Sequence, residues 1–312
     1  MPDISVIIAA YNVEAMIECA IESALAQQGV TIEVIVADDA STDGTLAAAR
    51  RIDDSRVTII ALPHNGGPGA ARNAAIGAAT AEWIAVLDGD DEMERHRLVR
   101  CLACAKEARA DIVADNLTMR QESGRESPMF DPRLFAHLRN RLTLADFIAG
   151  NCSFLGGAAL GYLKPVFSRA FLQKHSLSYD ADLRIGEDYM LLAECLAEGA
   201  GCALEPSAGY LYTVRAGSTS HRLTREGINR IEESDRKFLS RYRLDDKAAR
   251  AQARRTSRLH DARAFTELVI ALKDKDVCAA FELAAARPAI LWYLWRPIAA
   301  QLLRKHRKAG GT

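Results

Sequence analysis

The chain has 312 residues, enough for one large α/β domain, alone or with a helical appendage. Its composition, 49% hydrophobic and 26% charged, is that of an ordinary globular protein. A net charge of −1 excludes a global field that recruits nucleic acid, so any anion must be bound at a local site.

The opening residues, MPDISVIIAAYN, have no basic segment and enter a strand at once, so no secretory signal is read there. Seven scattered cysteines, an odd number, fit a reducing compartment, and the cytoplasm is the default expectation. Residues 4–10, ISVIIAA, lack polar alternation, the pattern of a strand buried on both faces. VEAMIECAIESALAQQ carries apolar residues at helical spacing and stops at Gly29. IEVIVADD (32–39) is a second strand, followed by a helix over STDGTLAAARRI with Ser41 or Thr42 as N-cap. VTIIALP (57–63) is a third strand, GPGAARNAAIGAAT a glycine-opened helix, and EWIAVLD (82–88) a fourth strand. This alternation predicts an α/β fold with a mostly parallel, doubly wound sheet.

Residues 93–110 read as a helix holding Cys101 and Cys104, a C-x-x-C without a second ligand pair nearby and hence two ordinary helix residues. A strand follows at 111–120, then the loop-like QESGRESPMFDPR. Residues 142–177 mix a helix, a Gly-rich turn, a strand and another helix. IGEDYMLLAECLAEGA (185–200) opens with carboxylates and continues as a helix. CALEPSAGYLYTVRAGSTSHR supplies one or two strands and a Gly/Ser loop, and the remainder is helical from about residue 224.

Ligands of open α/β sheets bind beyond the carboxyl ends of the strands. Three strands here end in polar residues: Tyr11-Asn12, Asp38-Asp39 and Asp88-Gly89-Asp90-Asp91. A D-x-D without His or Cys beside it suits Mg²⁺ or Mn²⁺, which takes one or two protein carboxylates and fills its shell with phosphate and water. A polar turn explains the same residues when they are taken alone. Asp39 either caps the next helix or accepts hydrogen bonds from a nucleobase N–H or a ribose hydroxyl. An acidic pair at a strand end also occurs in response-regulator receivers, which are shorter and lack the second D-x-D. The glycine segment fails the dinucleotide pattern because Arg72 stands where the third Gly is needed. Its helix start suits a diphosphate, or else is a tight turn with a surface arginine. Glu187 and Asp188 open a helix, where the dipole favours negative charge and where a carboxylate beside a pocket can act as general base.

Taken together and in order, SVIIAAYN, VIVADDASTDGT, GPGAARNAAIG, WIAVLDGDD and GEDYML resemble the family 2 glycosyltransferases of the GT-A fold, especially bacterial exopolysaccharide and succinoglycan-type glucosyltransferases. The resemblance covers roughly residues 3–220. It implies a catalytic domain over 1–222, with a nucleotide-sugar half at 1–115 and an acceptor half at 116–222, and a helical region over 223–312. It implies that Ala9, Tyr11 and Asp39 hold the nucleobase and ribose, with Arg72 near the nucleotide. Asp88 would contact the ribose or the metal's water shell. Asp90 would ligate Mn²⁺ or Mg²⁺, with His221 as a further metal contact. Arg215 and Ser218 would close over the diphosphate. Asp188 would be the base and Glu187 would shape the pocket. Ala10 departs from the proline frequent in the family, at a position with no assigned side-chain chemistry. The implied reaction is inverting transfer of a hexose, glucose by the likeness, from a UDP-sugar to a saccharide hydroxyl on a growing, lipid-linked chain. A sugar-nucleotide-binding or scaffold protein of the same fold is the alternative, though it has no need of the base.

The last segment, CAAFELAAARPAILWYLWRPIAAQLLRKHRKAGG, is interrupted by charges and prolines and falls short of the ~20 apolar residues of a membrane span. Trp292 and Trp295 with the basic run Arg304 to Lys308 resemble an interfacial anchor. Two readings stay open: peripheral attachment at the cytoplasmic face of the inner membrane, or a helix packed on the catalytic domain.

Overall fold

A computed structural model of the chain describes residues 1–152, 154, 159–214 and 224–291. The first four strands are β1 (Ile4–Ala10), β2 (Ile32–Asp38), β3 (Val57–Ala61) and β4 (Trp83–Asp88), all in parallel pairs in the order β3-β2-β1-β4. Helices α1 (Ile17–Leu25), α2 (Thr45–Ala49) and α3 (Pro68–Ala78) connect them. β1 is central, and Ile4, Val6, Ile7 and Ile8 are wholly buried because helices cover both faces. Among the described residues β3 pairs with β2 alone, and it is correspondingly half-exposed.

α2 begins two or three residues later than the sequence suggests, and neither Ser41 nor Thr42 caps it. Both residues are used to tie the strand ends together. Asn12 N–H donates to Ser41 Oγ (3.1 Å), and Thr42 N–H donates to Asn12 Oδ1 (2.8 Å). The N-cap position falls to Gly44.

After the short β5 (Glu92–Met93) and α4 (Arg97–Ala108), the sheet continues through β6 (Ile112–Gln121), β7 (Glu126–Pro128), β8 (Val166–Ser168) and β9 (Cys202–Val214). The full order is β3-β2-β1-β4-β8-β6-β9-β5, with β7 beside β6. Among the described residues only β6 and β9 pair in parallel in this second half, so the sheet is mixed. The segment expected as a plain loop at 121–133 carries β7 and the start of α5 (Pro132–His137). It is pinned by Asn116, whose Nδ2 donates to the carbonyl of buried Phe130 (3.0 Å). α6 (Leu144–Ala149), α7 (Arg169–Lys174) and α8 (Glu187–Ala197) complete this part, and Cys101 and Cys104 lie along α4 as free thiols.

Beyond these lie α9 (Arg225–Arg241), α10 (Asp246–Lys273) and α11 (Val277–Ala286). Phe238 of α9 joins the main core, while Ala248 and Ala251 of α10 pack on Ile148 of α6. The far end of α10 and α11 share a separate small cluster around Leu268, Ala280 and Ile290. Among the described residues no helix is long and apolar enough to cross a membrane.

One buried ion pair ties the second half of the sheet to its helix. Arg97 of α4 and Asp115 of β6 are both almost fully buried and bonded through Nε and Nη2, the latter at 2.8 Å. Arg97 also lies over the Tyr210 ring at 5.0 Å, and Asp115 accepts Gly209 N–H (3.1 Å). Replacing Asp115 with Ala strands a buried guanidinium, and urea unfolding should show a loss of about 3–5 kcal/mol. A loss under about 1 kcal/mol would mean that Arg97 finds water or another partner.

Candidate active site

The progression of strands changes direction between β1 and β4, and such a switch point is where open sheets bind ligands. Ala9 of β1 stands in register with Asp88 of β4, and Gly89 N–H donates to the Ala9 carbonyl (3.2 Å). Tyr11, just past β1, is 47% exposed at the same edge.

Asp88 is gripped by two cations. Arg72 Nη2 donates to its Oδ1 at 2.6 Å, and Lys164 Nζ lies 2.7 Å from its Oδ2. The same cations hold Asp188, with Arg72 Nη1 2.9 Å from Oδ1 and Lys164 Nζ donating to Oδ2 at 2.6 Å. Glu187 Oε1 accepts from Arg72 Nη1 at 2.7 Å. Three carboxylates thus face two cations, which leaves one net negative charge when all are ionised.

Local backbone chemistry explains how these groups arrive. Gly186 has φ +90° as the residue before α8, a conformation that only glycine takes without strain. The helix can therefore begin at Glu187 and Asp188, whose carboxylates sit in its first turn. Arg72 rises from α3 and is 3% exposed, with the Tyr179 ring 5.2 Å away. It is a buried residue of the site, not a surface arginine.

Burial pushes the Asp88 carboxyl up, but Lys164 and Arg72 more than offset it and hold it well below the usual carboxylate range. The Lys164 ammonium is raised despite burial, because Asp188 and Asp88 lie against it. Glu187 goes the other way: burial, then repulsion from Asp188, lift its carboxyl above the ordinary value.

The other carboxylates of the strand edges divide their work. Asp91 is buried, accepting Tyr210 Oη–H (2.8 Å) and Thr213 N–H (2.7 Å), so it anchors β9. Burial and the nearby Asp88 and Asp90 push its carboxyl well up. Asp90 lies half-buried in the turn between Asp88 and Asp91. Among the described residues no group of three or more His, Cys, Asp or Glu side chains could hold a metal. A hard cation at this turn would rely on Asp90 plus non-protein oxygens, a donor set that Mg²⁺ and Mn²⁺ accept.

Asp39 does not cap a helix. Its Oδ1 accepts Gly66 N–H (2.7 Å) and its Oδ2 accepts Gly67 N–H (2.8 Å), which fixes the loop before α3. Its neighbour Asp38 is buried with Oδ2 accepting Ser41 N–H (3.1 Å), while Oδ1 has no hydrogen-bond partner among the described residues. Arg215, Ser218 and His221 lie outside the described residues.

Sequence reading missed Lys164 entirely. A signal was present: it is the one charged residue between Asp146 and Arg169, and an ammonium in so apolar a run needs a partner. Tyr179 and Tyr210 were missed as well, since an isolated tyrosine carries no comparable signal.

The architecture is that of the GT-A glycosyltransferases. TarS of S. aureus (residues 1–349, in complex with UDP-GlcNAc) superposes with a TM-score of 0.66 at 20% identity, over 92% of each chain. A mannosyltransferase from Pyrobaculum calidifontis, solved with GDP-Man and Mn²⁺, gives 0.61 at 19% identity, over 96% of this chain and 83% of that one. The family model of glycosyl transferase family 2 matches residues 5–171, and the chain belongs to that family. It is similar to the succinoglycan biosynthesis protein ExoO of Rhizobium meliloti (strain 1021), with 48% identity over 97% of this chain and 87% of ExoO.

Because the Glu187 carboxyl is raised in the fold, its contribution to stability is fully present below the ordinary glutamate value and is lost as pH rises through the raised one. Glu187→Gln keeps an oxygen for Arg72 and removes the charge. The melting temperature of Glu187→Gln relative to the parent should therefore climb as pH is raised from about 4 to about 7. A difference that stays flat across that range would show that Glu187 is not strained by its neighbours.

Proposed function

We propose that this family 2 enzyme is an inverting hexosyltransferase that moves glucose from UDP-glucose to a hydroxyl of a growing, lipid-linked exopolysaccharide. The observation that carries this reading is the meeting of Asp88 at the donor end of β4 with Asp188 at the start of α8. One carboxylate marks the side where a nucleotide diphosphate binds. The other is a general base placed within reach of an acceptor.

The similarity to ExoO supports a polysaccharide role, and UDP-GlcNAc bound in TarS supports a uridine nucleotide. At the sheet edge, Ala9 and Tyr11 would line the nucleobase pocket. Asp39, whose carboxylate accepts Gly66 and Gly67 N–H, would hold the nucleobase and ribose with the remaining lone pairs of its oxygens and shape the wall of the pocket through that loop. Asp90, with His221 as the further candidate, would hold Mn²⁺ or Mg²⁺, which when bound supplies positive charge against the diphosphate. Arg72, Arg215 and Ser218 would complete the donor side. Asp188 then takes the proton of the acceptor hydroxyl as its oxygen attacks the anomeric carbon opposite the departing UDP. The sugar–phosphate bond breaks with inversion, and no covalent enzyme intermediate is needed. Residues 1–222 would form the catalytic domain and 223–312 a helical region. The exposed Val277 and Phe281 of α11, close in sequence to Trp292 and the basic run, would contact the cytoplasmic face of the inner membrane.

Calorimetry with UDP, GDP and ADP, each with and without Mn²⁺, tests the donor site. Binding of UDP alone, abolished by chelator, is the expected result; absence of metal-dependent binding by any nucleotide would sink the reading. Asp90→Asn should lose the metal dependence of UDP binding. Asp188→Asn should bind UDP as the parent does yet transfer sugar on the order of 10²–10⁴-fold more slowly. Near-normal turnover would remove Asp188 from the role of base.

A further inference from the structure

Lys164 is a buried ammonium, 5% exposed, on a segment between helices and strands that otherwise carries no charge. Desolvating it costs several kcal/mol before any pairing, so a structural filler at this site would be better served by Met or Leu. Its backbone is held from two directions. Arg97 of the buried ion pair donates through Nη2 to the Lys164 carbonyl (2.5 Å). Three residues earlier, Gly161 N–H donates to Asn151 Oδ1 (2.7 Å), and the Asn151 carbonyl accepts from Arg255 of α10 (3.0 Å). Pro165 follows Lys164 and restricts the chain there. From this seat the ammonium reaches Asp88 at 2.7 Å and Asp188 at 2.6 Å.

We propose that Lys164 is a positioning residue for the transfer step, locking the Asp188 carboxylate in plane and fixing its distance to Asp88. This rests on the reading of Asp188 as the base. The physical reason lies in which oxygen each cation takes. Arg72 holds Asp188 Oδ1 and Lys164 holds Oδ2. A carboxylate tethered by one oxygen still swings about its terminal torsion, which is broad and two-fold. Tethered by both, it is fixed, yet each oxygen keeps a lone pair that can receive the acceptor proton. Lys164 also sets the base against the strand end that faces the donor, because it holds Asp88 through the same nitrogen. Arg72 alone would still bridge the two acids, but through one oxygen of each, leaving both carboxylates to turn about their terminal torsions.

The test compares Lys164→Met, Lys164→Arg and the parent. In Lys164→Met, kcat for transfer should fall on the order of 100-fold while UDP–Mn²⁺ affinity stays within about threefold; Lys164→Arg should recover about a tenth or more of the parent rate. A kcat near the parent value, or a loss of UDP binding as large as the loss of kcat, would overturn the proposal. A substrate-free arm uses melting temperatures of Lys164→Met, Asp188→Asn and the double variant. The two losses should combine to less than their sum. Additive losses would overturn the role of Lys164 whatever the donor is. Coupled losses in a chain that binds no UDP would overturn only the donor reading.

Discussion

Two buried cations bridging Asp88 and Asp188 are the constraint on which the rest of the site depends. Like charges this close at two element ends would otherwise drive those ends apart or into water. Arg72 and Lys164 turn the repulsion into attachment, and the attachment joins the strand end at the sheet's switch point to the first turn of α8. Any chemistry that needs a donor on one side and a base on the other starts from a separation already set. Glu187 shows the limit of the arrangement: buried, and third acid to two cations, it has its carboxyl raised first by burial and then by repulsion from Asp188.

The scaffold behind the cations is itself polar. Arg97 and Asp115, deep in the core, link α4, β6 and β9 and reach the Lys164 carbonyl. Tyr210 adds a second strut, accepting Asp88 N–H (3.0 Å) and donating to Asp91, so the turn after β4 is braced by β9. Such buried polar groups cost desolvation and add little net stability, but they confine the site to one geometry. The helices after residue 224 belong to this support. Arg255 of α10 stacks 3.7 Å over the ring of Tyr189, the residue next to Asp188, and is paired with Asp235 of α9.

The acidic turn that looked like one motif is three carboxylates with separate duties. Asp88 belongs to the two-cation network, Asp91 is a buried anchor, and Asp90 remains as the candidate for metal. A divalent ion that takes most of its ligands from phosphate and water suits a turn with so few protein donors to offer. The pair Asp38-Asp39 is divided in the same way, Asp39 building the glycine loop and buried Asp38 accepting Ser41 N–H.

Local pattern alone determined the parallel half of the sheet. Short β-branched apolar runs alternating with helix-period segments read as strands of a sheet covered by helices, although β3 at its edge is half-exposed, and the polar residues at the strand ends marked the binding edge. The family likeness and the helix opening at Glu187 were legible in short motifs of this kind, and the same motifs named Asp39, Asp88, Asp90 and Asp188 as candidates. Local pattern failed where residues far apart in the chain compete for a partner. Ser41 and Thr42 look like caps until Asn12 claims them, and Asp39 looks like a cap until Gly66 and Gly67 do. The mixed second half of the sheet depends on which strands of β5 to β9 become neighbours, which short-range periodicity does not encode. Lys164 carried only the oddity of a lone charge among apolar residues. Its pairing with Asp88 and Asp188 exists only once β4, the segment before β8 and the start of α8 are brought together, because a buried charge takes its meaning from whatever stands within about 3 Å of it.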